Sequence, residues 1–219
     1  DATQIPSQGI LNWGKLPVDL FSASAHKFRG PKGIGLLLSG LDSKFSLSPL
    51  LGGGGQEQGF RSGTESVPLI AGMAVAFEIL NQRLDTSKKS LLCEDDVRIM
   101  RDTLLTDLRQ IPGLQFTGDP INRLSNHISF LLLTSDNKPI PGREVVRLLA
   151  EQGIAASSGT ACTSGVPADS RTLEAMHYPQ NLLQSGLRFS LGPWLRQRDL
   201  ATVSENLRHS IIKASMSTS

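Results

Sequence analysis

The sequence predicts an α/β fold, in which strands and helices alternate along the chain and pack in layers. Apolar residues recur at helical spacing in several segments, and short apolar runs bounded by glycine or polar residues lie between them. The polar stretch DTSKKSLL, residues 85–92, separates an N-terminal part from the rest. We therefore predict two parts, residues 1–84 and 85–219, of which the second is a small α/β domain.

In the N-terminal part we predict one buried strand, one long loop and one helix. Leu36–Leu38 is a short apolar run compatible with a buried strand. Four consecutive glycines at 52–55 exclude regular structure and place a long loop between residues 47 and 66. Ser66 is a suitable cap for the helix that follows. Its apolar positions are Leu69, Ile70, Met73, Phe77 and Leu80.

In the second part we predict alternating helices and strands. An amphipathic helix should end at Pro112–Gly113, a strong terminator, and a last helix should close the chain. The apolar positions of these two helices are Val97, Met100, Leu104, Leu108 and Ile111, and Leu200, Val203, Leu207 and Ile211. Between them we predict strands at Leu114–Thr117, His127–Leu133, Ile154–Ala156 and Leu187–Leu191, and a helix at Gly142–Gln152.

Composition excludes several classes of protein. The 22 basic and 20 acidic residues give a net charge of +2 without long blocks of one sign, so nothing favours binding to nucleic acid or to an acidic membrane. No apolar run is long enough to span a membrane, and DATQIPSQ lacks a signal-peptide pattern. Two distant cysteines favour free thiols over a disulfide scaffold. We expect an intracellular, soluble protein, and a first residue other than Met suggests a processed product or a fragment.

Lys27 lies in SASAHKFRGPKGIG, residues 22–35, among side chains too small to cover it. A lysine amine becomes a Schiff-base nucleophile when burial or neighbouring cations lower its pKa, and small neighbours leave room for a bound cofactor. A solvated surface lysine fits the same residues. His26, taken alone, is equally compatible with a structural role.

Two further residues are candidates for chemistry. Cys162 lies in SSGTACTSG, residues 157–165, where no large side chain occurs and a thiol could be exposed and reactive. A small buried residue in a tight turn remains the alternative, and Cys93 is more typical of a structural position. Arg188 alternates with apolar residues in GLRFSLG and is shaped to bind a carboxylate with two hydrogen bonds. An exposed edge strand would also explain it.

Known cofactor and metal motifs are absent. The loop GGGGQEQGFRSGTE offers backbone amides and the hydroxyls of Ser62 and Thr64, which can hold phosphate, but it is no Walker motif. GPKGIG does not match the dinucleotide fingerprint GxGxxG. There is no CxxC pair, no HExxH and no cluster of His and Asp ligands, so we predict no metal site.

Six stretches together resemble the pyridoxal-phosphate-dependent cysteine desulfurases, the NifS-like enzymes of the class V aminotransferase group. They are DATQ, DLFSASAHKFRGPKGIG, GGGGQEQGFRSGTE, SNHISF, SSGTACTSG and GLRFSLG, in family order from residue 1 to about 192. The resemblance implies the C-terminal part of an aspartate aminotransferase-like fold: a remnant of the large cofactor-binding domain, then the small domain. Family members carry a sizeable portion before the position of Asp1, so we expect these 219 residues alone to hold cofactor weakly.

The resemblance also implies roles for individual residues. Lys27, with His26 beside it, would be catalytic and would bind pyridoxal phosphate covalently, and Cys162 would take the sulfur of L-cysteine as a persulfide. The cofactor contacts would be Asp1 at the pyridinium nitrogen, Gln4 at the ring hydroxyl, Ser24 and His26 at the phosphate, and Thr64 at the phosphate of the neighbouring subunit. Arg188 would bind the substrate carboxylate.

Partners and alternatives follow from the same resemblance. A homodimer in the cytoplasm, or in an organelle matrix of a eukaryote, would pass sulfur to an iron–sulfur scaffold or another acceptor protein. A cysteine or cystine C–S lyase and a selenocysteine lyase share the lysine chemistry, but the lyase does not need the thiol at Cys162. A non-catalytic fragment that only dimerises or binds an acceptor remains a third reading.

Overall fold

The computed structural model describes residues 1–7, 16–40, 47–83, 94–159 and 169–216. Within it the chain forms two compact units, Asp1–Cys93 and Glu94–Ser219, and each is described by itself. The boundary predicted between residues 84 and 85 lies outside the described residues, and the two-domain assignment stays a prediction.

The first unit is built on a two-stranded antiparallel sheet. Strand β1, Leu20–Ser24, pairs with β2, Gly35–Ser39, in a register that runs from Leu20 opposite Ser39 to Ser24 opposite Gly35. Alternate residues of β1 point to opposite faces, which buries Phe21 and Ala23 and leaves Ser22 and Ser24 half-buried. A 3₁₀ turn, Ala25–Phe28, follows β1 directly.

Helix α1, Val67–Arg83, supplies the rest of this core. The ring of Phe28 packs at a centroid distance of 4.4 Å against that of Phe77 from α1. Residues 47–66 before the helix contain only a short 3₁₀ segment, Gln56–Gly59, as the glycine run predicted. The core comprises Ala2, Phe21, Ala23, Ala25, Phe28 and Ala76, with Ile34, Leu36, Met73, Phe77 and Leu80 packed against it.

One prediction for this unit was wrong and one strand was missed. Leu36–Leu38 is a strand, but not a buried one, since Leu37 and Leu38 are 57% and 40% exposed. Only Leu36 faces the core, because α1 and the 3₁₀ turn cover one face of the sheet. The sequence LFSAS of β1 was not predicted as a strand, because its small polar residues give a weak apolar alternation.

The second unit surrounds a three-stranded antiparallel sheet. Its described elements are α2 Glu94–Leu108, β3 Leu114–Phe116, β4 His127–Leu132, α3 Gly142–Glu151, α4 Arg171–Ala175, β5 Gly186–Ser190, α5 Gln197–Leu200 and α6 Val203–Met216. The strands lie in the order β3–β4–β5. Helix α6 packs against both α3 and α2.

The two faces of this sheet differ in polarity. Ile128 and Phe130 of β4 and Leu187 and Phe189 of β5 are buried, and the rings of Phe130 and Phe189 lie 5.8 Å apart between centroids. The residues between them in sequence, which include Arg188, face the other side. The sheet therefore has one apolar face and one face that carries polar side chains.

The strand predicted at Ile154–Ala156 is wrong. These residues have no regular structure, and only Ser157 pairs with the sheet, through an isolated bridge to Arg188. The bridge has two hydrogen bonds, from Ser157 N to Arg188 O at 3.0 Å and from Arg188 N to Ser157 O at 2.8 Å. The segment thus reaches β5 at a single point.

Two glycines with the same backbone conformation allow a test of packing after α2. Gly113 and Gly153 have φ of +82° and +76°, but only at Gly113 would a Cβ overlap the carbonyl oxygen of Leu133. Left-handed backbone costs an alanine about 1–2 kcal/mol, and forced overlap adds about 1–3 kcal/mol. We expect Gly113→Ala to lower the free energy of unfolding by about 2–5 kcal/mol and Gly153→Ala by about 1–2 kcal/mol. Urea titration compares the two variants, and equal losses would contradict the packing at Leu133.

Candidate functional site

The 3₁₀ turn Ala25–Phe28, called the lysine turn below, presents Lys27 to solvent. Ala25 and Phe28 are buried in the core of the first unit, whereas His26 and Lys27 are exposed. The Lys27 amine makes no hydrogen bond or ion pair with any residue in the described ranges. Two apolar anchors thus hold the turn and leave the amine available to a ligand.

The small residues around Lys27 have two different causes. Ala23 and Ala25 are small because they belong to the core. Gly30 and Gly35 are glycines because the chain approaches closely: an added Cβ would lie 2.9 Å from the Ala25 Cβ and 2.6 Å from the Ala23 carbonyl oxygen, respectively. The idea that small residues leave room for a cofactor therefore applies only to the outward-facing serines of β1.

Ser24 and His26 form a polar pair beside Lys27. The Ser24 hydroxyl lies 3.0 Å from His26 Nδ1. Ser24 is the last residue of β1, and His26 is exposed on the lysine turn. Hydroxyl and imidazole groups both bind phosphate oxygens, so the pair is a candidate phosphate contact.

The segment with Asp1 and Gln4 lies against the same strand. Ala2 is buried, and its backbone N–H donates to the Ser22 carbonyl oxygen at 2.9 Å. The Asp1 Oδ1 atom accepts hydrogen bonds from the Thr3 backbone N–H at 2.8 Å and the Thr3 hydroxyl at 2.5 Å. Gln4 is exposed, and only its backbone carbonyl has a described contact. A fixed carboxylate therefore lies on the segment paired to the strand that leads to Lys27.

Thr64 lies on the loop before α1. The Ser62 hydroxyl donates to the Leu51 carbonyl at 3.0 Å, and the Gln56 side-chain oxygen accepts from the Gly63 N–H at 3.2 Å. Thr64 itself is exposed, and its hydroxyl has no hydrogen-bond partner in the described part of the chain. Its neighbours hold the loop and leave this hydroxyl free to contact another molecule.

In the second unit, Arg188 lies on the polar face of the sheet with an unsatisfied donor. It stands directly opposite Ser129 in the β4–β5 register. Its Nε atom is buried and has no hydrogen-bond partner among the described residues. A buried donor without a partner costs about 1–3 kcal/mol or more when charged. A ligand that accepts from this guanidinium would remove that penalty.

Arg188 lines a cavity of about 250 Å³. Across the sheet, the Thr117 and Ser129 hydroxyls on its wall lie 2.7 Å apart. Sequence reasoning missed Arg123 and His127, the basic residues beside Arg188. Both lie far from Arg188 in sequence. The one sequence pattern that could have indicated them is the alternation of polar His127 and Ser129 with apolar residues along β4. The wall includes Thr117, Arg123, His127, Ser129, Ser157 and Arg188.

The charge around this cavity is positive. The Arg123 Nε and Nη2 atoms donate to the Asp119 and Thr117 carbonyl oxygens at 2.7 and 2.5 Å, so the guanidinium is fixed by backbone. Burial lowers the pKa of His127, and the nearby guanidinium groups of Arg123, Arg188 and Arg101 lower it further. His127 is therefore neutral at pH 7.

The lowered pKa of His127 predicts acid sensitivity. As the pH falls through about 6.5, the unfolded chain binds a proton at this imidazole, whereas the folded chain binds it only at lower pH. The free energy of unfolding should therefore be greatest above about pH 6.5 and fall below it. His127→Asn should lose less stability than wild type between about pH 7 and pH 5 in urea titrations. Equal losses would contradict a half-buried, neutral imidazole at position 127. His209→Asn on α6 is the control.

The predicted thiol at Cys162 lies outside the described residues, as does Cys93. The described residues nearest to Cys162 in sequence are Gly159 and Asp169. Among residues in the described ranges, no three His, Cys, Asp or Glu side chains are grouped to hold a metal ion. No described helix combines the length and the apolar character required to cross a membrane.

Comparisons by sequence give a consistent result. The model of the family described as aminotransferase class-V matches residues 1–203. A cysteine desulfurase IscS of Methanosarcina thermophila is 35% identical over 205 residues, covering 94% of this chain and 48% of the relative. A cysteine desulfurase of Rhodobacter capsulatus is 37% identical over 205 residues, covering 93% and 50%. The chain thus spans about half the length of the curated relatives it matches.

Solved structures show the same fold. A NifS-like protein from Rickettsia africae superposes with a TM-score of 0.78 at 23% identity, covering 95% of this chain and 52% of that one. A second NifS-like protein gives a TM-score of 0.74 at 28% identity, covering 93% and 49%. The predicted fold class, part of a NifS-like α/β transferase, is confirmed.

Proposed function

Because the chain belongs to the class V aminotransferase family, we propose that it carries the residues of a cysteine desulfurase. The reaction converts L-cysteine to L-alanine and leaves the sulfur on an enzyme thiol. Curated relatives at 35–37% identity are named cysteine desulfurases, which supports this activity over others in the family. Because the chain spans half of those relatives, the assays below use the protein in its full natural length.

The groups on and beside β1 fit pyridoxal phosphate by their chemistry. Asp1 offers a fixed carboxylate for the ring nitrogen, Gln4 an amide for the ring hydroxyl, and Ser24 and His26 a polar pair for the phosphate. When bound, this cofactor withdraws electrons from the substrate carbons and weakens the bond to sulfur. The carboxylate keeps the ring nitrogen protonated, which that chemistry requires.

Lys27 is the proposed covalent attachment point and proton carrier. Its exposed amine has no competing partner in the described ranges, and the lysine turn is held by Ala25 and Phe28 in the core. After substrate has displaced it, the free amine can take a proton from the substrate α-carbon and return one. A rigid turn limits the positions from which it does so.

Arg188 is the proposed carboxylate contact, and its buried, unpartnered Nε is the observation that carries the proposal. An α-carboxylate satisfies this donor and pairs with its charge, since guanidinium binds carboxylate through two parallel hydrogen bonds. The contact orients the amino acid and leaves its side-chain sulfur free to react.

Cys162 is the proposed sulfur acceptor. The substrate C–S bond breaks while a bond forms between the substrate sulfur and Cys162 Sγ, so the thiol becomes a persulfide, and the carbon that lost sulfur takes up a proton to give alanine. Gly159 lies on the wall of the Arg188 cavity. Cys162 follows three residues later in sequence, and three residues span at most about 11 Å. The covalent chain therefore permits the thiol to reach a ligand there.

Partners follow from the same proposal. Hydrogen bonds at Ser62 and Gly63 fix the loop that carries the Thr64 hydroxyl. This hydroxyl would contact the cofactor phosphate of a second subunit, so the proposed enzyme is a homodimer. The persulfide would pass to an iron–sulfur scaffold or another acceptor protein. A cytoplasmic or organelle-matrix location fits this role.

The products formed by a Cys162→Ser variant test the proposed function. We expect alanine formation from L-cysteine to fall by at least about 10³-fold, with Cys93→Ser unchanged as the matched control. Chromatography of alanine and pyruvate measures both products. Undiminished alanine formation would overturn the acceptor role of Cys162. Undiminished pyruvate release would support a C–S lyase instead.

A further inference from the structure

The cavity at Arg188 is larger than one carboxylate requires. Its volume of about 250 Å³ corresponds to about eight water molecules at about 30 Å³ each. The carboxylate of an amino acid would fill only part of it. The remaining wall includes Arg123 and His127, to which the proposed reaction gives no role.

Arg123 is fixed, and part of its hydrogen-bonding capacity is unused. A guanidinium has five N–H donors, of which Nε–H and one on Nη2 are bound to the Asp119 and Thr117 carbonyls. Both N–H groups of Nη1 lack a partner in the described ranges. The bound acceptors are neutral carbonyls, so they do not offset the charge of Arg123. Burial, the larger effect, lowers the pKa of Arg123, while the attraction to the Asp119 carboxylate offsets the charge in part and raises that pKa.

The carboxylates near the cavity offset this charge only in part, through Asp119. The Asp119 carboxylate accepts from the Ile121 and Asn122 backbone N–H groups at 2.7 and 2.6 Å and is exposed. Asp102 pairs with Arg101 at 2.8 Å and not with Arg123. The described wall thus holds two guanidinium groups and an imidazole against one solvated carboxylate at its edge.

His127 is placed to join Arg123 in binding an anion. It lies on the same face of the sheet as Arg188, diagonal to it across the β4–β5 register. The imidazole has no hydrogen-bond partner in the described part of the chain. It offers one N–H donor when neutral and two when protonated.

We propose that the cavity has a second anion-binding point, formed by Arg123 and His127, and that it takes small ligands with two acidic groups, such as short dicarboxylates. This inference rests on the assignment of Arg188 to carboxylate binding. One acidic group binds Arg188 and the other lies between Arg123 and His127. Such ligands compete with an amino-acid substrate for the same cavity.

Binding of simple carboxylates to the protein, measured by calorimetry, tests the proposal. The probes are propionate, with one carboxylate, and malonate, succinate and glutarate, with two at increasing separation. We expect the best dicarboxylate to bind at least about tenfold tighter than propionate, since a hydrogen bond to a charged group contributes about 1.5–3 kcal/mol. Arg123→Gln should remove this advantage and leave propionate binding unchanged. Arg208→Gln, which removes an exposed charge from α6, should change neither.

The two proposals fail in different ways. If propionate does not bind, or if Arg188→Gln leaves its binding unchanged, the carboxylate role of Arg188 is wrong. If propionate binds through Arg188 but no dicarboxylate binds more than about threefold tighter, the second point does not exist. Each result is read from the wild-type protein and from variants whose folding is checked by circular dichroism.

A second measurement on the wild-type protein needs no change at Arg123. The imidazole signals of the four histidines are followed by NMR against pH, and His127→Asn assigns one of them. A bound dicarboxylate places negative charge beside His127, so its pKa should rise. An unchanged pKa of His127 with succinate bound would contradict the proposal.

Discussion

Lys27→Ala is expected to lower alanine formation from L-cysteine by at least about 10⁴-fold, the upper range for loss of a positioned acid–base group, because covalent attachment is lost as well. The amine is the only group that the lysine turn offers for that attachment, since Ala25 and Phe28 are buried and the neighbouring His26 is paired with Ser24. Product assays by chromatography give the rate. Folding should be unaffected, because the replaced side chain is exposed.

Lys32→Ala is the matched control. Lys32 lies five residues further along and is also exposed, so the substitution removes the same charge from the same segment. Its rate should stay within about twofold of wild type, as expected for a surface position. Equal activity of wild type and Lys27→Ala would show that Lys27 is a solvated surface lysine and that the cofactor attaches elsewhere.

Arg188→Gln should raise the KM for L-cysteine and lower kcat/KM by about 30- to 4000-fold. Removing one member of a buried, hydrogen-bonded charge pair costs about 2–5 kcal/mol. Each factor of ten in kcat/KM corresponds to about 1.4 kcal/mol. The change should fall mainly on KM, because the carboxylate contact exists before and during the reaction. Steady-state rates over a wide range of cysteine concentration separate the two constants.

Arg188→Lys distinguishes charge from geometry. Lysine keeps the positive charge but cannot form two parallel hydrogen bonds, so we expect it to recover only part of the lost kcat/KM. Thermal unfolding should show both variants at least as stable as wild type, since the Nε atom has no described partner to lose. A large loss of stability with an unchanged KM would mean that Arg188 is structural.

Sequence patterns predicted the elements with a strong apolar period. The period of 3.6 in α1 and α6 and the apolar run of β4 located these elements to within a few residues, because the burial of one face set their sequences. Strand β1 escaped prediction because only Phe21 and Ala23 of LFSAS face the core, and a single alanine between two serines gives a weak apolar signal. Leu36–Leu38 was predicted as buried because periodicity cannot show how many faces of a strand are covered.

The residues of the candidate site also differ in whether the sequence could predict them. Lys27 and Arg188 could be selected from sequence, because an amine among small residues and an arginine in an apolar strand are unusual for chemical reasons alone. Arg123 and His127 could not, since their place beside Arg188 depends on the register of β4 and β5 and on a loop fixed by backbone carbonyls. Tertiary pairing brings these residues together, and local sequence does not encode it.

Covalent attachment of pyridoxal phosphate at Lys27 is the central claim, and borohydride reduction followed by peptide mapping tests it most directly. The protein is incubated with the cofactor, reduced, digested and analysed by mass spectrometry. We predict a single modified peptide whose adduct lies on Lys27, with Lys27→Ala unmodified and Lys32→Ala modified as wild type. An adduct spread over several surface lysines, or none at all, would contradict the assignment of this chain to cofactor-dependent desulfuration.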